Sequence, residues 1–333
     1  MEDTPLLRFK NLSLEFDTPE GTVTALDDIT FSLYDGEVLG LVGESGAGKS
    51  ITGRTILALI SANGRVTNGS VKYRGSDVLQ MEQEEIQRLR GSEIAIISQD
   101  PSDSLNPTLT VGKQIKRVIR YGTEEKLNES KREARAIELL DKMGIPAPED
   151  RIDNYPYEFS GGMKQRAMIA MAIANKPSLL VADEPTTALD VTIEAQILKL
   201  LQDLQEEYGL SMVFITHDMS VESFIADRLM VMYAGEIAET GPIDEVLAFP
   251  QHPYTEALLN SLPTLTTDTI ESIPGNMPDI KDKPSGCKFS PRCDYATDIC
   301  EQENPQLEEI SQGNRRLSAC HNINEVEGRG VRK

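Results

Sequence analysis

The octapeptide GESGAGKS, Gly43 to Ser50, most constrains what this chain can fold into. It stands between a compact apolar run, EVLGLV (Glu37 to Val42), and the helically spaced ITGRTILALI. A buried strand, a glycine turn and a helix in that order aim backbone N–H groups at a phosphate at the positive end of the helix. Gly43, Glu44, Ser45, Gly46, Ala47, Gly48, Lys49, Ser50 and Ile51 are the expected nucleotide contacts. Lys49 is placed to reach β and γ phosphates and Ser50 to give its hydroxyl to Mg2+. An incidental glycine turn is the bland alternative, with about one chance match per hundred chains of this size, fewer with an apolar strand in front. The helix is expected to stop near Asn63 and Gly64.

Further short apolar runs follow: IAIIS (Ile94 to Ser98), LLVAD (Leu179 to Asp183) and MVFIT (Met212 to Thr216). Helical segments lie between them, the pattern of parallel strands covered on both faces. Before the glycine turn, LLRFKNLSLEF and ITFSLY read as strands around a turn at Pro19, Glu20 and Gly21. Residues 110–143 form two polar helical stretches around Tyr121 and Gly122 without a strand, hence a helical insertion. From about 244 the chain is rich in Pro and short helical pieces, and 246–333 reads as a C-terminal extension. The 333 residues suit about two structural units of ~150 each.

With 33 Lys plus Arg against 54 Asp plus Glu, the net charge of −21 would repel a polyphosphate duplex, so no nucleic-acid partner is expected. The acid excess is spread along the chain, which suits either a salt-rich cytosol or an ordinary acidic surface. The start, MEDTPLLRFK, lacks the pattern of a secretory signal, and no run of about 18 apolar residues occurs. A cytoplasmic chain that does not itself span a bilayer is the expectation.

LLVADEP puts two acids at the end of an apolar strand, where open parallel sheets present ligands. Asp183 suits water-mediated Mg2+ binding, and Glu184 suits the general base that polarises the attacking water. A solvated pair of strand-end acids is the plainer alternative. FSGGMKQR (Phe159 to Arg166) sets Ser-Gly-Gly before a helix, equally a phosphate-facing N-terminus or a flexible N-cap.

The phosphate loop, Gln99 in ISQDP, FSGGMKQR, LLVADEP, Ala188-Leu189-Asp190 and ITHD with His217 occur in one order. Together they resemble the ATP-binding subunit of ABC transporters over nearly the whole chain. The resemblance implies an α/β, ABC-type P-loop NTPase: a RecA-like core with an antiparallel β subdomain and a helical insertion at about 101–160. The nucleotide-binding domain would span 1–245, followed by the cysteine-containing extension 246–333. In that family two such domains meet head to tail, so Ser160, Gly161, Gly162 and Met163 would serve the ATP of the partner. Gln99 would join the Mg2+ shell, His217 would contact the γ phosphate, Asp190 would communicate across the dimer, and Phe16 would stack on adenine. The signature departs from many members in carrying Phe159 for Leu, and Met163 and Lys164 for a Gln pair, while its Ser-Gly-Gly core is intact.

DPSDSLNPTLTVGKQI, FPQHPYTEALLNSLP, IPGNMPDI and GCKFSPRC narrow the resemblance to the dipeptide and oligopeptide importer ATPases. That implies two membrane permeases, a second ATPase subunit, identical or homologous, and an extracytoplasmic substrate-binding protein. The place of work would be the cytoplasmic face of the membrane, with ATP and Mg2+ as cofactors. Sugar or nickel importers, a soluble ABC ATPase outside transport, and a redox-sensing module are the competing readings. From Lys113 to Arg135 eight Lys or Arg meet four Glu, a local charge reversal expected to favour anionic headgroups or a permease.

Cys287, Cys293, Cys300 and Cys320 are separated by five, six and nineteen residues, matching no usual zinc or ferredoxin spacing. Spacing leaves metal, cluster and free thiols open. The family resemblance adds that some such tails hold a [4Fe–4S] cluster on four matching cysteines.

Overall fold

Alternating apolar residues near the N-terminus build the first sheet. The computed structural model describes residues 4–122, 127–187, 189–262, 273–311, 315–323 and 326, so Ala188 lies outside the described residues. The chain divides into two compact units, Met1–Leu79 with Phe214–Lys333, and Gln80–Val213.

In the first unit β1 (Leu7–Thr18) and β2 (Gly21–Leu33) pair antiparallel, burying Leu7, Phe9, Leu12 and Leu14 from one and Leu26, Ile29 and Leu33 from the other. The Phe9 and Phe31 rings stack at 4.5 Å. β3 (Val38–Val42) is buried at every residue, as a strand covered on both faces must be, and runs into the glycine turn and α1 (Lys49–Ile56). β4 (Gly64–Tyr73) and β5 (Ser76–Asp77) complete an antiparallel sheet of order β2-β1-β4-β5. α1 ends well before Asn63, contrary to the sequence expectation. Ala58 takes a left-handed conformation (φ 50°), and the N–H groups of Leu57, Ala58 and Leu59 turn back to the carbonyls of Arg54 and Thr55, closing the helix.

The second unit opens with α2 (Gln83–Leu89) and β6 (Ile94–Ile97). The helical insertion follows as α3 (Pro101–Ser104), α4 (Val111–Gly122), α5 (Glu129–Lys142) and α6 (Pro148–Arg151). α4 and α5 pack together, burying Ile115 and Ile119 of the first and Ala136, Leu139 and Leu140 of the second. Within this basic stretch Lys116 Nζ pairs with Glu129 and Glu133, each at 2.9 Å, and Arg132 with Glu129 at 2.8 Å, while the excess of eight Lys or Arg over four Glu stands. α7 (Gly161–Ile173), β7 (Leu179–Asp183) and α8 (Val191–Tyr208) follow, with β6 and β7 parallel and Ile97 opposite Ala182. β8 (Ser211–Ile215) starts in this unit, where the Ser211 N–H donates to the Ser178 carbonyl at 3.0 Å.

The chain re-enters the first unit at Phe214, and the Thr216 N–H donates to the Leu41 carbonyl of β3 at 3.2 Å. α9 (Met219–Ile225), β9 (Arg228–Tyr233) and β10 (Glu236–Pro242) come next, β9 parallel to β3 and antiparallel to β10. Beyond residue 242 come α10 (Ile243–Ala248), α11 (Pro253–Asn260) and α12 (Asp298–Gln302). The sequence reading foresees helical pieces there but not β11 (Glu308–Ser311) and β12 (Arg316–Ser318), which continue the sheet in the order β11-β12-β10-β9-β3. Both are short and charged, so no periodicity announces them; pairing with β10 makes them strands. Buried Glu239 of β10 accepts the N–H groups of Gln251 and His252 at 3.0 Å, tying the start of α11 to the sheet. Among the described residues no helix is long and apolar enough to cross a membrane.

Candidate nucleotide-binding site

In the first unit the glycine turn has the backbone that its sequence requires. Gly43 has φ 152°, and a Cβ there would lie 2.2 Å from the Met232 carbonyl oxygen, so a side chain is excluded. Gly48, at φ 102°, is the N-cap of α1 and supplies no side-chain cap, so the helix N-terminus and its positive dipole end open from the glycine turn. Lys49 is only 6% exposed, and its ammonium donates to the carbonyls of Gly43 at 2.7 Å and Glu44 at 3.1 Å. The cation is thereby held over the loop. Phe16 of β1 is half-buried with its ring against Gly64, where an added Cβ would come within 2.7 Å. His217 is exposed, one residue beyond the Thr216 that bonds to β3.

In the second unit Asp183 ends β7 at 3% exposure, and Glu184 follows in a left-handed conformation (φ 49°). That turn directs the Glu184 carboxylate to Gln99, whose amide donates to Oε2 at 2.8 Å, and to Thr187, whose hydroxyl donates to the same oxygen at 2.8 Å. Gln165 of α7 donates to the Pro185 carbonyl, fixing the segment after the two acids. Gln99 and Glu184 are thus brought together. Thr187 and Gln165 are additional residues that the sequence reading does not single out; Thr187 sits in the segment that follows LLVADEP, which was its available signal.

The SGG segment lies in the same unit. Ser160 caps α7, accepting from the Met163 N–H at 3.3 Å, and Asp190 caps α8, accepting from the Ile193 N–H at 2.9 Å. Ser160, Gly161, Gly162, Met163 and Asp190 line one open groove with Arg166. Gly161 has open space around it, whereas a Cβ on Gly162 would press on Ile193 at 3.1 Å. Two helix N-termini therefore face one groove, that of α7 capped by the neutral Ser160 hydroxyl and that of α8 by the Asp190 carboxylate, so the α7 end is the one suited to an anionic ligand.

The expected Mg2+ donors are a hydroxyl (Ser50), an amide oxygen (Gln99) and a carboxylate (Asp183), the hard oxygen ligands that this ion prefers. The cysteines were the other expected metal site. Their thiols are unpaired with one another; Cys300 is buried and the others half-buried. Burial pushes the Cys293 thiol up to about 12 and Cys320 up to about 11, and the charges of neighbouring cysteines act in the same direction. Four thiols suit soft-metal or iron–sulfur chemistry. Among the described residues, however, no three His, Cys, Asp or Glu side chains converge to hold a metal ion, so the placement gives the cluster no support.

A strand–glycine-turn–helix and a strand-end Asp-Glu pair define the P-loop NTPase class. The family model "ABC transporter" matches residues 26–187, and "Oligopeptide/dipeptide transporter, C-terminal region" matches residues 238–300. The chain is 46% identical over 318 residues to a dipeptide transport ATP-binding protein of Escherichia coli (strain K12), covering 95% of this chain and 96% of that one. It is 47% identical over 312 residues to an oligopeptide transport ATP-binding protein of Bacillus subtilis (strain 168), covering 92% and 87%. Among solved structures, a dimeric ATP-binding cassette bound to ADP and phosphate is similar at a TM-score of 0.65 and 28% identity, over 71% of this chain and 98% of that one. The chain belongs to the ABC transporter ATPases, in the branch that carries the oligopeptide/dipeptide transporter C-terminal region. It is an ATP-hydrolysing enzyme of that class.

Proposed function

We propose that the chain is the ATP-hydrolysing subunit of a di- and oligopeptide importer. The observation that carries this reading is the match of residues 238–300 to the oligopeptide/dipeptide transporter C-terminal region, joined to relatives of that kind along more than nine-tenths of the chain. Residues 1–245 act as the nucleotide-binding domain, with 101–160 as its helical insertion, and 246–333 as the extension. The Gly43–Ile51 segment binds the phosphates of ATP, and Phe16 packs on the base. Ser50, Gln99 and Asp183 would hold Mg2+, which when bound would supply charge neutralisation on the phosphates. Glu184 accepts the proton of the attacking water, and His217 donates to the γ phosphate as negative charge builds there.

The signature residues Ser160, Gly161, Gly162 and Met163 serve ATP bound to a second ATPase subunit, identical or homologous, with Asp190 communicating between the two. The N-terminus of α7, capped by a neutral hydroxyl and facing an open groove, supports that assignment. ATP closes the pair, and closure drives two membrane permeases fed by an extracytoplasmic substrate-binding protein. The chain works at the cytoplasmic face of the membrane as a peripheral subunit. For the tail we keep the [4Fe–4S] cluster on Cys287, Cys293, Cys300 and Cys320 as its structural staple, supported by the donor chemistry alone; iron-free, colourless protein after anaerobic purification would remove it.

The function is tested by uptake of labelled di- and oligopeptides, with oligosaccharide and nickel controls, in cells carrying the wild-type chain or Glu184→Gln. Selective loss of peptide uptake is expected in the variant. Continued peptide entry with loss of sugar or nickel uptake would leave the ATPase standing and overturn the peptide assignment.

A further inference from the structure

Glu44 is the first variable residue of the phosphate loop, and each of its polar groups is engaged. Its N–H donates to the hydroxyl of Tyr254 at 2.8 Å, and its carbonyl accepts from Lys49 at 3.1 Å. Its carboxylate meets Arg292 in a two-bond fork, NH1 to Oε2 at 2.7 Å and NH2 to Oε1 at 3.0 Å. Two of these three partners come from the C-terminal region, more than 200 residues along the chain, at sequence separations of 210 and 248.

The partners are themselves fixed. Arg292 is only 8% exposed, and its Nε donates to the Pro274 carbonyl at 2.7 Å. Tyr254 is fully buried, its ring edge-on to Tyr233 at 4.6 Å, and Tyr233 in turn accepts from Arg292 at 3.3 Å. A planar guanidinium with four of its five N–H donors engaged has little freedom, so the fork sets the orientation of Glu44.

The charge balance adds a second consequence. A carboxylate within a phosphate-binding loop would repel the nucleotide, and Arg292 neutralises it at contact distance. The geometry points to Arg292 and Tyr254 as positioning residues for ATP binding, through which the C-terminal region sets the shape and charge of the phosphate loop. This rests on the reading of Gly43–Ser50 as the nucleotide loop.

The test is titration of the full-length chain with the fluorescent analogue MANT-ATP and Mg2+, together with melting curves and turnover at saturating ATP. Arg292→Ala is expected to weaken MANT-ATP binding about tenfold, less at high KCl, with saturated turnover changed by less than about twofold. Tyr254→Phe removes one hydroxyl and keeps the ring, and should weaken binding by about two- to tenfold. Adding Glu44→Gln to Arg292→Ala should recover much of the lost affinity, because it removes the uncompensated charge; a merely structural role would not move this way. If Arg292→Ala does not fold, Tyr254→Phe decides alone. Affinities of the folded single variants within about twofold of wild type would overturn the proposal even if their melting temperatures fall. A wild-type chain that binds no MANT-ATP would overturn the phosphate-loop reading beneath it, a distinguishable failure.

Discussion

Replacing Glu184 by Gln separates chemistry from structure at the strand-end acids. The backbone at this position is left-handed, at φ 49°, a strain that Gln shares with Glu, so the substitution adds none. Two hydrogen bonds to the side chain, from Gln99 and from Thr187, end on one oxygen, each at 2.8 Å. The amide oxygen of Gln can accept both. What changes is their strength: bonds to a charged acceptor are worth about 1.5–3 kcal/mol and neutral ones about 0.5–1.5, and the half-exposed setting screens the difference. A stability loss of about 1 kcal/mol is therefore expected, a shift of roughly 2–4 °C in Tm. Loss of a general base costs about 10²- to 10⁴-fold in turnover. The assay is phosphate release by purified protein beside equilibrium binding of MANT-ATP and a melting curve. Turnover falling at least about a hundredfold with MANT-ATP binding retained is the expected pattern. Unimpaired phosphate release would refute Glu184 as the base, and a loss of stability above about 4 kcal/mol would show its main role to be structural.

Gly43→Ala would drive a Cβ to 2.2 Å from the Met232 carbonyl oxygen, so it should cost about 2–4 kcal/mol in urea unfolding and reduce nucleotide affinity more than about tenfold. Burial holds His252 down to about 4, against 6.5 for the free side chain. The unfolded chain therefore binds more protons between these values, and stability contributed by neutral His252 is present above about pH 6.5 and lost as pH falls toward 4, about 3 kcal/mol in all. His252→Asn, which keeps an N-cap acceptor for α11, should flatten the acid limb of a stability–pH curve. Glu222 is fully buried beside Gly40, and burial raises its carboxyl well above the usual range, so its contribution is present at low pH and lost as pH rises through the folded value. Glu222→Gln should accordingly raise Tm at neutral pH by about 2 °C or more, and a fall in Tm would contradict the assignment.

The phosphate loop, the buried strands and the helical insertion were legible because their determinants are contiguous. EVLGLV is apolar at adjacent residues, and Gly43 and Gly48 occupy the positive-φ positions that the turn needs. Gln99 and Glu184 were singled out separately, one by family resemblance and one by its strand-end position, but their mutual hydrogen bond was not readable from either. The grip of Arg292 and Tyr254 on Glu44 was invisible for a related reason: the three residues lie in separate motifs, Glu44 more than 200 positions from each of the others, and only folding across the intervening chain brings them together. The basic stretch around Lys116 is a different case: the charge count shows the excess of eight Lys or Arg over four Glu, but not which cations are paired, and Lys116 meets Glu129 and Glu133 only because α4 and α5 pack together. The early end of α1 turned on a single left-handed residue, Ala58, for which a helix-forming alanine gives no warning.

The most direct measurement is peptide-dependent phosphate release by the assembled importer in proteoliposomes, comparing the wild-type chain with Glu184→Gln. Stimulation by di- or oligopeptides delivered with the substrate-binding protein, abolished in the variant, is the expected result. Release that ignores peptides but responds to a sugar or to nickel, or that persists in the variant, would contradict a peptide importer driven by hydrolysis at Glu184.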